Sequence, residues 1–491
     1  MKAPLHPVAS ATACTQPGAV AVADEQPLPM QPENFRFGGG ASSTILHPLV
    51  ALGMLIAIVL ILVLPRNKAI TPFVFAYFNI PAAQVLVLGG VHFFMRQILI
   101  LTVLARMMAF PGSSGESRFA GGLNRLDRVV LLWVLSGIVI FNIEWMAKQA
   151  FIKSLGDLIE LLGGYVAVRF LITDRETVWR AIKIIAAVFV IQGAFMMSEQ
   201  FTHHNLFSMF GANEPSFRDG HVRSEGAMGT LYAGAIAGAL VPLFLALWTK
   251  GKSRLIALAG LAGAGAMIFA SYASTSWMAL GSSLLALAFW PLRKVMRLVR
   301  WGIVATLVGL QIVMHGPVWS LIEKIDVTGG SSSYHRYELV DNCIRHFGQW
   351  WLLGYKYYYT WGFCMFDLCD QFVAAAVTGG LVTLVLYIMI FSRSFGALGK
   401  ARKQVEGDRS EEWFFWCLAS FLFAVMISAM GINYMFQLLM CFLLLVACIS
   451  VATSEVMQPA AFGTNEYSEE PFEYSRGLLG PDLTGGVWAR P

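Results

Sequence analysis

Arginines, carboxylates and histidines are concentrated in two polar segments of an otherwise apolar chain. The first segment, residues 198–227, ends in Arg218 and Arg223 just before an apolar run. The second, residues 316–372, is long and contains Arg336 among acidic and aromatic residues. Guanidinium groups at a membrane surface can hold phosphate through paired hydrogen bonds. Two arginines from different loops are therefore candidates for clamping a diphosphate, whereas interfacial anchoring is the commoner role of arginines beside membrane spans.

Candidate proton acceptors lie in the same long segment. Asp367 and Asp370 are three residues apart, so on a helical turn they would share a face and repel each other. Such repulsion would raise one pKa and suit a carboxylate that accepts a proton from a hydroxyl group. His335, next to Arg336, is an alternative base, and His346 is a third. Two solvated loop acids are the structural alternative for the aspartates.

Three further ionisable residues lie inside apolar runs, namely Arg96, Asp157 and Glu160. Charged side chains are costly in lipid and usually pair with one another or line a cavity. A structural ion pair of Arg96 with Asp157 or Glu160 is the favoured interpretation. Contact between Arg96 and a lipid-borne phosphate, deeper in the membrane than the other arginines, is the alternative.

Composition places the chain in the membrane. Apolar residues make up 57% of the 491 and charged residues only 13%, which suits lipid better than a soluble core. The net charge of +5 is small for this length and does not indicate a nucleic-acid partner. A spanning helix needs about 20 apolar residues. The sequence therefore predicts an all-α polytopic membrane protein with roughly 12 transmembrane helices. These are expected at 44–64, 86–108, 128–146, 151–172, 179–197, 228–247, 254–271, 276–292, 299–315, 373–392, 412–430 and 433–452.

The polar segments set the expected domain boundaries. Tails at 1–43 and 453–491 are rich in polar, proline and glycine residues and are predicted to be disordered. Between them we expect transmembrane helices 1–9 in 44–315, with the outer loop 198–227, then the long loop 316–372 and the C-terminal helices in 373–452.

Basic residues between the runs indicate orientation, because lysines and arginines favour cytoplasmic loops. The groups that fall on one side are Arg106 to Arg128, Arg175 and Arg180, Lys250 to Arg254, Arg293 to Arg300, and Lys400 to Lys403. Both long polar segments then face outward. Twelve spans with both termini inside are favoured. Arg66 and Lys68 would be cytoplasmic too only if residues 71–84 also crossed.

Cysteines in the long loop leave one further question open. Cys343, Cys364 and Cys369 lie there, and two of them could pair if the loop faces an oxidising compartment. No metal site is predicted, because the nearby histidines lack ligand spacing.

Several short motifs resemble the bacterial O-antigen ligase and O-antigen or exopolysaccharide polymerase family. The resemblance covers residues 220–395 by motif and the whole chain by the layout of its spans. In chain order, the motifs are Arg223-Ser-Glu-Gly226 at the start of a span, Arg336-Tyr-Glu-Leu-Val340, Leu-Leu-Gly-Tyr at 352–355, and Asp370-Gln-Phe372 followed by Gly379-Gly-Leu381.

The resemblance implies a GT-C-like glycosyltransferase architecture in the bacterial inner membrane, with the active site facing the periplasm. It implies a polyprenyl-diphosphate-linked glycan donor, a glycan acceptor and no cofactor or metal. Membrane lipid is the surrounding partner, and other polysaccharide-assembly proteins are possible partners. Carried over by position, Arg223 and Arg336 bind the diphosphate leaving group, with Arg218 and Arg96 as further candidates.

This chain departs from the family pattern at two places. Asp370 stands where ligases have a histidine, which leads us to favour a polymerase over a ligase. Residues Ser274, Thr275 and Ser276 stand where many relatives have Ser-Arg. A transporter or flippase of lipid-linked glycans and a non-catalytic membrane scaffold are the alternatives to a transferase.

Overall fold

A computed structural model describes residues 44–88, 91–109, 118–218, 220–324, 333–362 and 365–462. The predicted tail at 1–43 and residues 463–491 of the predicted C-terminal tail lie outside these ranges. Residues 453–462, also assigned to that tail, instead continue the last long helix to Met457 and end in a short 3-10 turn, Pro459–Phe462.

The described ranges are almost entirely helical. The helices are α1 (Pro48–Val63), α2 (Arg66–Asn79), α3 (Met95–Ala109), α4 (Arg125–Trp145), α5 (Lys148–Leu158), α6 (Gly164–Leu171), α7 (Arg175–Thr202), α8 (Thr230–Thr249), α9 (Arg254–Ser271), α10 (Ser274–Ala288), α11 (Met296–Val313), α12 (Ser333–Arg345), α13 (Phe347–Trp350), α14 (Gln371–Gln404), α15 (Arg409–Ser428) and α16 (Phe436–Met457). A π-helical turn, Ile159–Gly163, joins α5 to α6. Short 3-10 turns occupy Leu206–Phe210, Gly251–Ser253, Trp290–Leu292, Val318–Lys324 and Tyr358–Trp361.

Within the described residues, eight helices are long and apolar enough to cross a membrane. Helix α1 is apolar but shorter, with 16 residues. The prediction of an all-α polytopic membrane protein is confirmed at this level. The core of the bundle is α16, nearly all of whose apolar window is buried by its neighbours.

Two short antiparallel hairpins interrupt the helices in the described ranges. Strand β1 (Val85–Leu88) pairs with β2 (Val91–Phe94), and β3 (Ser216–Arg218) pairs with β4 (His221–Arg223). The first hairpin replaces the beginning of the span predicted at 86–108. Two short runs rich in valine, leucine and phenylalanine that flank a Gly-Gly pair are typical of a hairpin, so the helix predicted from residue 86 is wrong over these strands.

Helix α2 runs between the two ends of the bundle. At its start, Arg66 donates 2.6 Å hydrogen bonds to the main-chain oxygens of Phe170 and Arg118. Beyond its end, Gln84 donates to the main-chain oxygen of Phe210, at the opposite end. Residues 66–84 therefore extend from one end of the bundle to the other, and the twelve-span count stays a prediction.

The basic loops lie together at one end of the bundle, which we call the basic end, and ion pairs connect them. Arg175 and Lys250 both approach the carboxylate of Glu411. Arg293 contacts Glu412 at 2.8 Å, and Arg402 lies 3.5 Å from the same carboxylate. Loops that the charge pattern assigned to one side are therefore adjacent. The two long polar segments lie at the other end, which we call the loop end.

Helix α14 is broken at Gly380, whose φ of 67° and ψ of −174° are not helical. The Leu-Leu-Gly-Tyr turn enters this break. Leu381 N–H donates to the Trp351 oxygen at 2.9 Å, and Tyr355 N–H donates to the Val377 oxygen at 2.7 Å. The turn thus supplies partners for main-chain groups that the break frees.

We predict that Gly380→Ala destabilises the protein by about 1–3 kcal/mol, because its positive φ disfavours a side chain. A Cβ there would also lie 2.7 Å from the Leu352 oxygen. Thermal unfolding in detergent measures the effect. Gly399→Ala, in the same helix with open space around it, is the matched control. Equal melting temperatures for the two variants would contradict a structural requirement for the break.

Candidate functional site

The turn from Arg223 to Gly226 is held by the carboxylate of Glu199, near the end of α7. Glu199 accepts hydrogen bonds from the amides of Glu225 at 2.7 Å and Gly226 at 2.9 Å. Gly226 has a φ of 55°, and a Cβ there would lie 2.9 Å from Oε1 of Gln192. The glycine of this motif therefore shapes a tight turn, which fixes the strand that carries Arg223.

Arg223 is a half-buried cation whose charge is partly balanced by nearby Glu225. Its Nε is buried and has no hydrogen-bond partner among the described residues. Burial lowers the pKa of Arg223, the nearby charge of Arg218 lowers it further, and Glu225 opposes both. A partly desolvated positive charge of this kind gains more from an anionic ligand than a charge in water.

Arg336 lies in the first turns of α12 at the same end of the bundle. Its Nε is also buried without a partner in the described part of the chain. The side chain lines a cavity of about 150 Å³, where Ser274 and Thr275 contribute polar groups. The remaining lining side chains are apolar and comprise Met278, Ile322, Ile427 and Met430. The cavity therefore combines a cationic, hydroxyl-bearing part with apolar walls.

His335 and Asp367 meet beside Arg336. His335 is buried, at 6% exposure, and its Nε2 lies 3.0 Å from the main-chain oxygen of Asp367. Burial raises the pKa of the Asp367 carboxyl, whereas the charges of His335 and Arg336 lower it. The arrangement places a half-buried carboxyl group next to the arginine that lines the cavity.

Asp370 has a structural role that sequence reasoning did not foresee. It caps α14, because its Oδ1 accepts hydrogen bonds from the amides of Phe372 at 2.7 Å and Val373 at 3.0 Å. Burial raises the pKa of Asp370 to about 6, and these hydrogen bonds and the Arg336 charge oppose the rise. The carboxylate is only 2% exposed, so it is less accessible than Asp367.

The prediction that repulsion between Asp367 and Asp370 raises the pKa of one of them is wrong. Residues 367–370 are not helical, so Asp367 and Asp370 do not share a helical face. Desolvation is the largest effect on the pKa of each carboxyl, and neither aspartate contributes to the shift of the other. Burial, rather than repulsion between the two acids, therefore sets these pKa values.

Tyr232, in the first turn of α8, connects the two arginine-bearing segments. It lies within electrostatic reach of both Asp367 and Glu225. Glu225 in turn acts on Arg223, and Asp367 on Arg336. Tyr232 is therefore near one acidic residue of each polar segment.

Arg96 forms the ion pair that the sequence suggested. It is 1% exposed, and its Nη2 lies 3.7 Å from Oε1 of Glu160, whereas Asp157 pairs with Lys153. Nε and Nη1 of Arg96 have no hydrogen-bond partner in the described ranges. The guanidinium lies 4.6 Å from the ring of Phe436. Contact between Arg96 and a lipid phosphate stays a prediction.

The remaining candidates lie further from these groups. Arg218 is on strand β3, opposite His221, and adds positive charge near Arg223. His346 stacks on Trp361 with ring centroids 4.9 Å apart, and Trp361 stacks on Tyr355 at 5.6 Å. His346 is therefore part of an aromatic stack on the loop.

Of the three loop cysteines that could form a disulfide, Cys343 and Cys369 are not bonded to each other. Cys343 and Cys369 are free thiols, and burial raises the pKa of each to about 12. Cys364 lies outside the described residues. Neither described cysteine is an activated nucleophile, because a raised pKa keeps the thiol protonated at neutral pH.

Glu199 was missed by sequence reasoning, although a signal for it existed. It lies two residues beyond the apolar run at 179–197, at the start of the polar segment that was singled out for its arginines. Thr275 was noted only as a departure from the family pattern, yet it lines the cavity.

Comparisons with known proteins identify no family for this chain. No family model matches it, and a search of curated proteins also finds no match. The resemblance to O-antigen ligases and polymerases rests on the short motifs alone and stays a prediction.

We predict that the stability of the protein falls as pH rises from about 4 to about 6. Asp370 titrates near 4 in the unfolded chain but at about 6 in the fold. The folded state therefore binds more protons across this window, and its advantage is lost as Asp370 ionises.

Asp370→Asn is the matched variant for this test, because asparagine also caps helices well but does not titrate. Melting temperatures of both proteins, measured between pH 4 and pH 7, should show a smaller decline for Asp370→Asn. Parallel profiles would contradict the assignment of this titration to Asp370.

Proposed function

We propose that the protein is a metal-independent membrane glycosyltransferase of bacterial surface polysaccharide assembly. It transfers a glycan from a polyprenyl diphosphate to a hydroxyl group of an acceptor sugar, at the outward face of the inner membrane. A polymerase is favoured over an O-antigen ligase because Asp370 stands in place of the ligase histidine. The observation that carries the proposal is Arg336, which has no partner for its Nε and lines a largely apolar cavity beside Asp367.

The chemistry of the donor matches these surroundings. A polyprenyl diphosphate combines a strongly anionic head group with a long apolar chain. Arg336 and Arg223 lie at the loop end of the bundle, each with a buried Nε that has no hydrogen-bond partner among the described residues, and the cavity next to Arg336 has apolar walls. Fixed guanidinium groups can stabilise the charge that develops on a departing diphosphate without a metal ion.

The proposed reaction is a displacement at the anomeric carbon. The acceptor hydroxyl oxygen forms the new bond to this carbon, the bond to the diphosphate oxygen breaks, and the diphosphate leaves with the electron pair. The hydroxyl proton passes to the Asp367 carboxylate, with the His335 imidazole as the alternative base. Asp370 is better placed to hold the start of α14 than to accept this proton.

One observation favours a transporter or flippase as the second candidate. Broken helices are typical of transporter binding sites, and α14 is broken at Gly380. A purified protein given a lipid-linked glycan and an acceptor separates the candidates. Carrier release with a new glycosidic bond supports the transferase, whereas movement of the lipid across vesicles without a new bond supports transport. A scaffold would do neither.

We predict that Arg336→Ala and Arg223→Ala each lower turnover by about 10²–10³-fold, the usual effect of removing one group that stabilises developing charge. The assay measures release of the polyprenyl carrier in the presence of acceptor. Arg300→Ala is the control, because this arginine lies at the exposed start of α11 and only bonds its own helix. Full activity in both variants would contradict the proposal that the two arginines hold the diphosphate.

We predict that Asp367→Asn lowers turnover by about 10²-fold or more, as loss of a general base does. Its pH profile should also lose the acidic limb, because the wild-type carboxylate must be ionised to accept a proton. Glu338→Gln, which changes another acid of the same loop on α12, is the control. If Asp367→Asn is active and His335→Gln is not, the histidine is the base.

A further inference from the structure

Five aromatic rings of the long loop form a continuous series, which we call the aromatic row. Its members, in spatial order, are His346, Trp361, Tyr355, Tyr357 and Tyr359. The centroids of neighbouring rings are 4.9, 5.6, 5.8 and 6.3 Å apart in this order, and the Trp361 ring is nearly parallel to those of His346 and Tyr355. An interfacial belt instead distributes aromatic side chains around a protein at headgroup level. The loop therefore presents one extended aromatic surface.

The aromatic row is held in place on one side and accessible on the other. Tyr355 and Trp361 pack against a small apolar cluster that includes Trp350. Nε1 of Trp361 also donates a 2.8 Å hydrogen bond to Oε1 of Gln349. None of the five rings is fully buried, and Tyr357 is 36% exposed. The row is therefore a fixed surface that a ligand can reach.

Glu144, in the last turn of α4, adds a carboxyl group beside the row. Its Oε1 is buried and has no hydrogen-bond partner among the described residues. Nζ of Lys356 donates to the main-chain oxygen of Glu144 at 3.4 Å. The same Nζ lies 5.6 Å from the ring centroid of Trp145 and 5.3 Å from that of Tyr357. Lys356 thus connects the end of α4 to the aromatic row.

Tyr358, the neighbour of Tyr357 in the chain, relates this surface to the proposed general base. Burial raises the pKa of Tyr358 to about 12, and the charges of Glu144 and Asp367 contribute to the rise. The phenol therefore stays protonated at neutral pH and can donate a hydrogen bond. Because Tyr358 lies within electrostatic reach of both acids, the surface is near Asp367.

The combination of groups favours a sugar as the ligand. The C–H face of a pyranose ring is apolar and packs on an aromatic ring, while the hydroxyl groups at its edge donate and accept hydrogen bonds. A hydroxyl group can donate to Oε1 of Glu144, whereas an ionised phosphate has no donor for it. A hydrocarbon chain would leave this oxygen and the tyrosine hydroxyls unsatisfied.

The length of the row favours a chain of sugars over a single one. A pyranose ring covers an area similar to that of one aromatic ring, so a single sugar contacts only part of a series of five. Successive sugars of a chain can contact successive rings of the row.

We propose that the aromatic row and Glu144 bind the acceptor, and that they hold a glycan chain of several sugars. The chain packs its C–H faces on Tyr357 and Tyr359, donates a hydroxyl hydrogen bond to Glu144, and presents its terminal hydroxyl to Asp367. This inference deepens the proposed function, on which the identity of the ligand as acceptor rests. A site for a chain also suits a polymerase, whose acceptor is itself a glycan chain.

Transfer kinetics with acceptors of different length test the site. The probes are oligosaccharides of a single repeating unit and of several units, prepared from the surface polysaccharide of the organism that makes this protein. With the longer acceptor, Tyr357→Ala should raise KM about tenfold and leave kcat unchanged, because it removes one stacking contact of the ground state. Tyr357→Phe keeps the ring and should retain the wild-type KM. Phe201→Ala is the control, because Phe201 is an exposed aromatic residue at the end of α7, outside the row.

Glu144→Met provides a second variant if Tyr357→Ala fails to fold. It keeps the length of the side chain but removes both oxygens, and should also raise KM for the longer acceptor. Glu144→Gln keeps an accepting oxygen and should have the lower KM of the two. An unchanged KM in a folded Tyr357→Ala or Glu144→Met protein overturns the site. An equal increase in Phe201→Ala would show a general effect of aromatic residues at the loop end and would overturn it too.

Calorimetric binding of the same oligosaccharides to the purified full-length protein in detergent, without donor, separates this site from the proposed function. Binding that depends on Tyr357, in a protein that transfers no glycan when donor is added, would support the glycan site and contradict the transferase. Transfer by Tyr357→Ala with the wild-type KM would support the transferase and overturn the site. Equal affinities for the short and long oligosaccharides would overturn the assignment to a chain.

Discussion

Placing positive charge in a membrane protein without neutralising it is costly, and this cost organises the site. At the basic end, several arginines have acidic partners, as in the contacts of Arg175 with Glu411 and of Arg293 with Glu412. At the loop end, Nε of Arg223 and Nε of Arg336 are buried without a hydrogen-bond partner in the described part of the chain, and no acidic residue described there forms an ion pair with either side chain. Arginine therefore forms structural ion pairs at one end, and under the proposed function the loop-end arginines bind the anionic ligand.

Main-chain constraints hold these arginines in position. Glu199 binds the amides of the turn after Arg223, and Asp370 caps α14 beside Arg336. The break at Gly380 is filled by the turn at 352–355, which connects the long loop to α14. Several residues of the family-like motifs therefore shape the main chain. Among the motif residues, the arginines are the ones left with unsatisfied side-chain groups.

Sequence patterns were sufficient for the class of fold and for the grouping of basic loops, because long apolar runs and basic loops depend on local composition. Sequence patterns failed where the same composition fits two different structures. The valine- and phenylalanine-rich stretch at 85–94 is as apolar as a span but forms a hairpin, and the path of α2 depends on tertiary contacts of Arg66 and Gln84. For the site, sequence pointed to Arg336 and Asp367 but not to the capping role of Asp370 or the place of Thr275 in the cavity lining. Those properties follow from burial and main-chain geometry.

An experimental structure of the protein with a bound polyprenyl-diphosphate glycan tests the central claim most directly. The account predicts diphosphate oxygens within about 3 Å of guanidinium nitrogens from both Arg223 and Arg336, the range of charge-assisted hydrogen bonds. A diphosphate bound elsewhere, or arginines too far apart to reach one diphosphate, would contradict it.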